Sequence, residues 1–214
     1  MAATQTTLVY NDLKSKILRS GYSASESLPE AELATTYSVS RNTIKKALMM
    51  LESEGLVSIE PNKGAKVRAY SKQEVIEYLE VREVLEEYLM RLTVPLLTQD
   101  DIERMRKSMA EMVVCKEEGR LMDYSASNRA FHRVVYDACP NRTLAQMIIN
   151  LKNQMSKYNS KTVLIPGRVD AGYREHSAIL DAIVAKDVDA AAKLAAQHIR
   201  GVRDTFDKNF DLLF

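Results

Sequence analysis

Tryptophan is absent from this chain of 214 residues, and cysteine, proline, glycine and histidine are scarce, at two, five, seven and three. Few glycines and prolines mean few turns, which fits a mostly helical chain. Cys115 and Cys139 lie far apart, form no CxxC and fall in helical segments, so a disulfide framework is excluded and both are read as reduced thiols. No apolar run approaches the roughly 20 residues that a spanning helix needs. The polar start MAATQTT also lacks the charged and apolar zones of a signal peptide. The expected location is therefore cytoplasmic, without membrane contact. A large excess of one charge is missing too: the net charge is +1. That rules out a basic coat, so any DNA contact must come from a local patch. The first 70 residues carry nine basic against seven acidic residues, and the rest carry 21 against 22. Internal repeats and low-complexity stretches are absent.

What is present divides the chain into two expected domains, 1–70 and 71–214. Leu8, Leu13, Ile17 and Leu18 predict an amphipathic helix ended by Gly21 as a left-handed cap. Ser27-Leu28-Pro29-Glu30 opens a second helix, with Ser27 as the cap and Pro29 early, where no amide donor is needed. Val39-Ser40 makes a turn, Ser40 caps, and 41–54 forms a third helix with Ile44, Leu48 and Leu51 inside. Arg41, Asn42, Lys45 and Lys46 point outward in its first turn and a half, beside Thr43. Leu56–Ile59 and Ala65–Arg68 then read as two short strands around the turn-rich tip Glu60-Pro61-Asn62-Lys63-Gly64. Helix, helix, tight turn, basic helix and a Lys63-Gly64-tipped hairpin together make a winged helix-turn-helix of three helices and a β-hairpin wing. A basic first turn alone would be only a solvated face.

From Ser71 onward the periodicity predicts an all-α bundle of six helices, roughly 71–97, 99–118, 120–138, 143–160, 168–185 and 188–211. Ser71 and Thr98 stand as caps and Pro95 kinks or ends the first. All three histidines of the chain fall on apolar faces here. His132 shares one face with Asn128 at i−4, beside Tyr124, Phe131 and Val135; His176 stands within Val169, Tyr173, Ile179, Leu180 and Ile183; His198 stands within Leu194, Ala195 and Val202. Two readings remain open: three core histidines each with its own partner, or one shared divalent cation satisfying all three. Arg82 also lies on the inward stripe of its helix, with Val75, Tyr78, Leu79, Leu85 and Leu89. It is either a stem over the core paired with a glutamate or a fork for a ligand carboxylate. Tyr78, Tyr124, Tyr158 and Asn159 are candidate lining for the same effector cavity.

Leu28-Pro29-Glu30, Glu32-Leu33-Ala34, Val39-Ser40-Arg41, Leu51-Glu52, Glu54-Gly55-Leu56-Val57 and Lys63-Gly64-Ala65-Lys66-Val67 resemble the winged helix of GntR-family bacterial regulators. The resemblance implies operator contacts at Arg41, Lys45 and Gly64. Two departures are Lys45-Lys46, where the family usually has Arg-Glu, and Ala31, where arginine is frequent; a lysine cannot grip guanine bidentately. Tyr78-Leu79-Glu80-Val81-Arg82, Asn128 with Phe131-His132, Glu175-His176 and His198 resemble the FCD effector domain of the FadR subfamily, in its six-helix VanR-like branch. Such domains hold a divalent metal, zinc or nickel, with an aspartate and three histidines. The matching positions here are Asn128, His132, His176 and His198, and the neutral amide implies a weaker metal.

The resemblance implies a homodimeric, ligand-responsive repressor on a palindromic, double-stranded operator, with a small carboxylate as effector. One alternative is a metal-free regulator binding a larger apolar ligand such as an acyl thioester. The other, a three-histidine zinc hydrolase, lacks an HExxH, and Glu175 should leave the helix face of His176. No enzymatic activity is expected.

Overall fold

The computed structural model describes residues 4–19, 21–61 and 63–213, and of Lys157, Asn159, Ser160 and Leu213 the backbone alone. The wing-tip residue Asn62 and the side chain of Asn159 thus lie outside the described residues. The chain forms two compact units, Met1–Ser71 and Lys72–Phe214. Among the described residues no helix is long and apolar enough to cross a membrane.

The first unit contains α1 (Gln5–Leu18), β1 (Ser27–Leu28), α2 (Glu30–Tyr37), α3 (Arg41–Ser53), β2 (Val57–Glu60) and β3 (Gly64–Val67). Leu13, Ile17, Leu28, Ile44, Leu48, Leu51, Val57 and Val67 are almost wholly buried and join the helices to the sheet. Ser38 takes the left-handed conformation (φ 52°) that ends α2, and Ser40 Oγ accepts the Thr43 amide at 3.1 Å, so the turn and cap restart the chain as α3. Three local expectations are corrected. Ser27 does not cap α2: with Leu28 it forms β1, paired antiparallel to β3 (Leu28 opposite Ala65), and Pro29 takes the cap position. Burial of Leu28 anchors this short strand, and the sheet has three strands in the order β1-β3-β2. The hairpin strands lie one residue from the expected bounds, with Val57 opposite Val67 and Glu60 opposite Gly64. Gly21 is not a left-handed cap; its amide bonds to Lys16 O at 2.8 Å, and a Cβ there would stand 3.1 Å from that oxygen.

The second unit contains α4 (Lys72–Thr93), α5 (Gln99–Glu117), α6 (Leu121–Ala138), α7 (Arg142–Gln154), α8 (Ser156–Thr162), α9 (Arg168–Val184), α10 (Val188–Lys208) and α11 (Phe210–Leu213). Pro95 ends α4 in a short 3-10 turn, and Thr98 and Asp101 form a reciprocal capping box on α5. The fourth predicted helix is broken: buried Met155 leaves helical geometry and separates α7 from α8. The last stops at Asn209 and resumes as α11. Helix α4 packs on α10 and α7, α5 on α6 and α9, and α9 on α10. Leu89, Val94, Met105, Met112, Phe131, Ile148 and Ile183 form their common core. Cys115 and Cys139 are buried free thiols within it.

Candidate metal centre and DNA-facing helix

Three helices deliver the histidines to one place. Amphipathic packing turns the apolar stripes of α6, α9 and α10 inward, and a histidine lying within each stripe is carried with it: His132, His176 and His198 are all buried. One ring nitrogen from each lies within 4.8 Å of the others, and the His132 and His176 Nε2 atoms are 3.0 Å apart. The outer nitrogens of two of them are pinned. His176 Nδ1 donates to Gly172 O at 2.5 Å and His198 Nδ1 donates to Glu175 Oε2 at 2.6 Å, which leaves both Nε2 lone pairs pointing inward. Burial lowers the pKa of all three histidines, His132 and His176 well below the ordinary imidazole value, so they are neutral donors near pH 7.

A carboxylate buttresses this arrangement. Glu175 was expected to leave the His176 face. It does turn away from His176, but directly onto α10, where it accepts from His198. Arg168 grips it from the start of α9 through two bonds of 2.8 Å. Burial raises the Glu175 pKa, but the bonds from His198 and Arg168 outweigh that and hold it at about 2. Gly201 makes room: a Cβ there would stand 3.2 Å from Glu175 Oε1. Glu175 and Arg168 were missed as site residues, although the Glu175-His176 adjacency was their visible signal.

The fourth candidate ligand, Asn128, is half-buried on α6 one turn before His132. Its Oδ1 is buried and has no hydrogen-bond partner. An orphaned buried amide oxygen costs free energy unless something occupies the space it faces. Three inward imidazole nitrogens with a free oxygen on the same helix face form a donor set suited to zinc or nickel.

Next to the triad lies a small pocket lined by Glu86, His132, Tyr136, His198, Met90 and Ile199, among others. Arg82 stands behind Glu86 and donates to it at 3.0 Å, both side chains being buried. The paired-stem reading of Arg82 thus describes its resting contact. Glu86 also accepts the Tyr136 hydroxyl at 2.6 Å, and the half-buried Lys152 donates to that hydroxyl at 3.0 Å. Burial, reinforced by Arg82, pushes the Lys152 ammonium down to about 7. Sequence reasoning missed Glu86, Tyr136 and Lys152. For Lys152 the signal was its place four residues after buried Ile148 on α7. Tyr78 and Tyr124 do not line the pocket; Tyr124 is buried and donates to Val169 O at 3.2 Å.

In the first unit, α3 buries Ile44, Ala47, Leu48 and Leu51 and exposes Arg41, Asn42, Lys45 and Lys46 on its opposite face. Thr43 is half-buried, its hydroxyl 2.9 Å from Ser40 Oγ. At the wing, Lys63 is exposed and pairs with Glu60 at 2.9 Å. Gly64 has φ +81°, a conformation that strains any residue with a Cβ.

Residues 5–67 match the family described as bacterial regulatory proteins, gntR family, and residues 77–201 match the FCD domain. The chain is a GntR-family regulator with an FCD domain. This regulator is 24% identical to the HTH-type transcriptional repressor GlaR of Escherichia coli K12, covering 89% of this chain and 90% of that protein. It is 25% identical to the HTH-type transcriptional regulator LutR of Bacillus subtilis, covering 84% and 90%. Among solved structures, Escherichia coli McbR/YncC shares the fold with a TM-score of 0.80 at 22% identity, over 99% of this chain and 98% of that one. A GntR transcriptional regulator from Rhodococcus sp. RHA1 has a TM-score of 0.79 at 18% identity, over 94% and 97%. The matched relatives and folds are transcriptional regulators rather than enzymes, and the GntR family binds DNA.

Proposed function

We propose that this regulator is a ligand-responsive repressor that binds a palindromic operator as a homodimer and senses a small organic acid beside a divalent metal. Zinc or nickel would be held by His132, His176 and His198, with Asn128 as the neutral fourth ligand. The observation that carries this reading is the convergence of three neutral imidazoles, two with their outer nitrogens already pinned, together with the orphaned Asn128 oxygen one helical turn before His132. Bound there, the metal would supply a Lewis-acidic centre for an acid's oxygens. The chain's own residues do the rest: Glu175 and Arg168 orient His198, Gly172 O orients His176, and Arg82 brings a guanidinium close behind the pocket wall.

Arg41, Asn42, Thr43, Lys45 and Lys46 of α3, with Lys63 and Gly64 of the wing, are the proposed operator contacts. The first turn of a recognition helix meets base edges and phosphates there. Support for repression comes from GlaR, described as a repressor. Support for a homodimer comes from α4, which exposes Val81, Val84 and Tyr88 at i, i+3 and i+7 as an apolar stripe. Calorimetric screening of small carboxylates against zinc-loaded and chelated protein, followed by operator binding with and without the acid, tests the proposal. Binding of an acid only in the loaded form, with altered operator affinity, is expected. Equal behaviour of the two forms contradicts it.

A further inference from the structure

We propose that Lys152 is a carbamate site, where carbon dioxide adds reversibly to the side-chain amine and replaces a positive charge by a negative one. Neither a metal nor the proposed acid takes part. The fully buried cations of the helical unit come with counterions: Arg82 holds Glu86, and Arg168 holds both oxygens of Glu175. Half-buried Lys152 has no carboxylate within ion-pair distance among the described residues. Its ammonium meets the Tyr136 hydroxyl at 3.0 Å and the Tyr136 ring, 4.8 Å from the centroid.

The charges that bear on Lys152 are mostly of its own sign. Arg82 of α4 and Arg129 of α6 repel the ammonium. Glu86 attracts it, but that carboxylate is already engaged by Arg82 at 3.0 Å and by the Tyr136 hydroxyl at 2.6 Å. Burial first, and then the two guanidinium groups, bring the Lys152 pKa down to about 7. A large share of the amine is therefore neutral near neutral pH, where an ordinary lysine is almost wholly charged. A neutral amine has the lone pair that a nucleophile needs.

Among small electrophiles, carbon dioxide fits these surroundings because its adduct is an anion. An imine formed with an aldehyde leaves the position neutral or positive. A carbamate puts a negative charge where Arg82 and Arg129 now act on a positive one. The Nζ lone pair attacks the carbon, one carbon–oxygen π bond opens onto oxygen, and one nitrogen proton passes to water. Neutral amine and carbon dioxide thus give a carbamate anion and one released proton. The carbamate nitrogen keeps one N–H, so its bond to the Tyr136 hydroxyl is retained. Carbon dioxide is small and uncharged, and it reaches a half-buried amine without shedding a tight hydration shell. The change is felt at the histidines: beyond burial, the Lys152 ammonium helps to lower the pKa of His132 and His176, and an anion in its place acts in the opposite sense.

The test exposes full-length protein to carbon-13 carbon dioxide and bicarbonate at about pH 7.5, where α-amines also react. Carbamates are trapped by ethylation with triethyloxonium ion and located by peptide mass spectrometry, with added glycylglycine as the positive control. Lys152 should carry at least about tenfold more label than exposed lysines, whose amines are rarely neutral at that pH. Arg129→Gln, which removes one of the cations facing the adduct, should lower the Lys152 label by about two- to fivefold, the worth of one partly exposed charge pair. Label on Lys152 no higher than on exposed lysines while glycylglycine is trapped, or label that Arg129→Gln leaves unchanged, overturns the proposal. Either outcome leaves the metal-anchored reading as it stands.

Discussion

Burial keeps His132, His176 and His198 neutral, and neutral imidazoles with fixed tautomers are ready ligands that need not first lose a proton. The two fixing contacts come from different sources: a backbone carbonyl of the same helix for His176 and a carboxylate of a neighbouring helix for His198. Glu175→Gln should therefore lower zinc affinity by about 10- to 100-fold, the usual cost of losing an outer partner of a ligating histidine. Competition with a chromophoric chelator measures this, and unchanged affinity would show that Glu175 does not orient His198. Asn128→Asp should act in the opposite direction and tighten zinc, because a carboxylate both donates better and reduces the residual charge. Identical calorimetric constants for wild type and N128D would remove Asn128 from the centre. A pH dependence follows from Glu175 as well. Its pKa lies at about 2 in the folded chain, below its ordinary 4.5, so its contribution to stability is complete above pH 4.5 and fades as the pH falls toward 2. The melting-temperature gap between metal-free wild type and E175Q should shrink steadily as the pH falls from 4.5 toward about 2; a gap that stays constant over that range contradicts the assignment. At this scale the three histidines were visible from periodicity because a polar residue on an apolar stripe stands out. Glu175 leaves the His176 face as expected, but its role was missed because helix geometry was applied to one helix alone, whereas its partner sits on the next.

Among the elements, α3 carries the clearest correspondence between pattern and placement. Its buried stripe and capping serine leave Arg41, Asn42, Lys45 and Lys46 no direction but outward. If Lys45 meets a phosphate, Lys45→Ala should weaken binding to operator and to unrelated duplexes alike. It should also reduce the slope of log affinity against log salt by about 1. Loss confined to the operator, with the salt slope intact, would instead make Lys45 a base reader. Elements without periodicity were the ones hidden from the sequence. A strand of two residues such as β1 offers no alternation to read, and Ser27-Leu28-Pro29 also spells a plausible helix start; the burial of Leu28 against β3 decides between them. The break at Met155 was hidden for the same reason, since a single buried methionine carries no breaker signal.

As a whole molecule, the chain joins a family-typical DNA-binding unit to a helical unit whose polar interior is costly to fold. Arg82, Glu86, Arg168 and the three histidines are all buried, where apolar side chains would pack with less desolvation. That expense is understandable if the interior has a ligand to hold. The apolar stripe on α4 gives the assembly prediction: if the proposed homodimer forms through it, wild-type protein should sediment as a dimer and Val84→Arg as a monomer, whereas equal masses for the two would contradict an α4 contact. The most direct measurement of the central claim is metal stoichiometry. Wild-type protein, stripped and titrated with zinc in a calorimeter, should bind one ion per chain, and His176→Ala should abolish that binding while the fold, followed by circular dichroism, persists. A wild type that takes up no zinc, or a His176→Ala protein that takes it up equally well, would contradict the account.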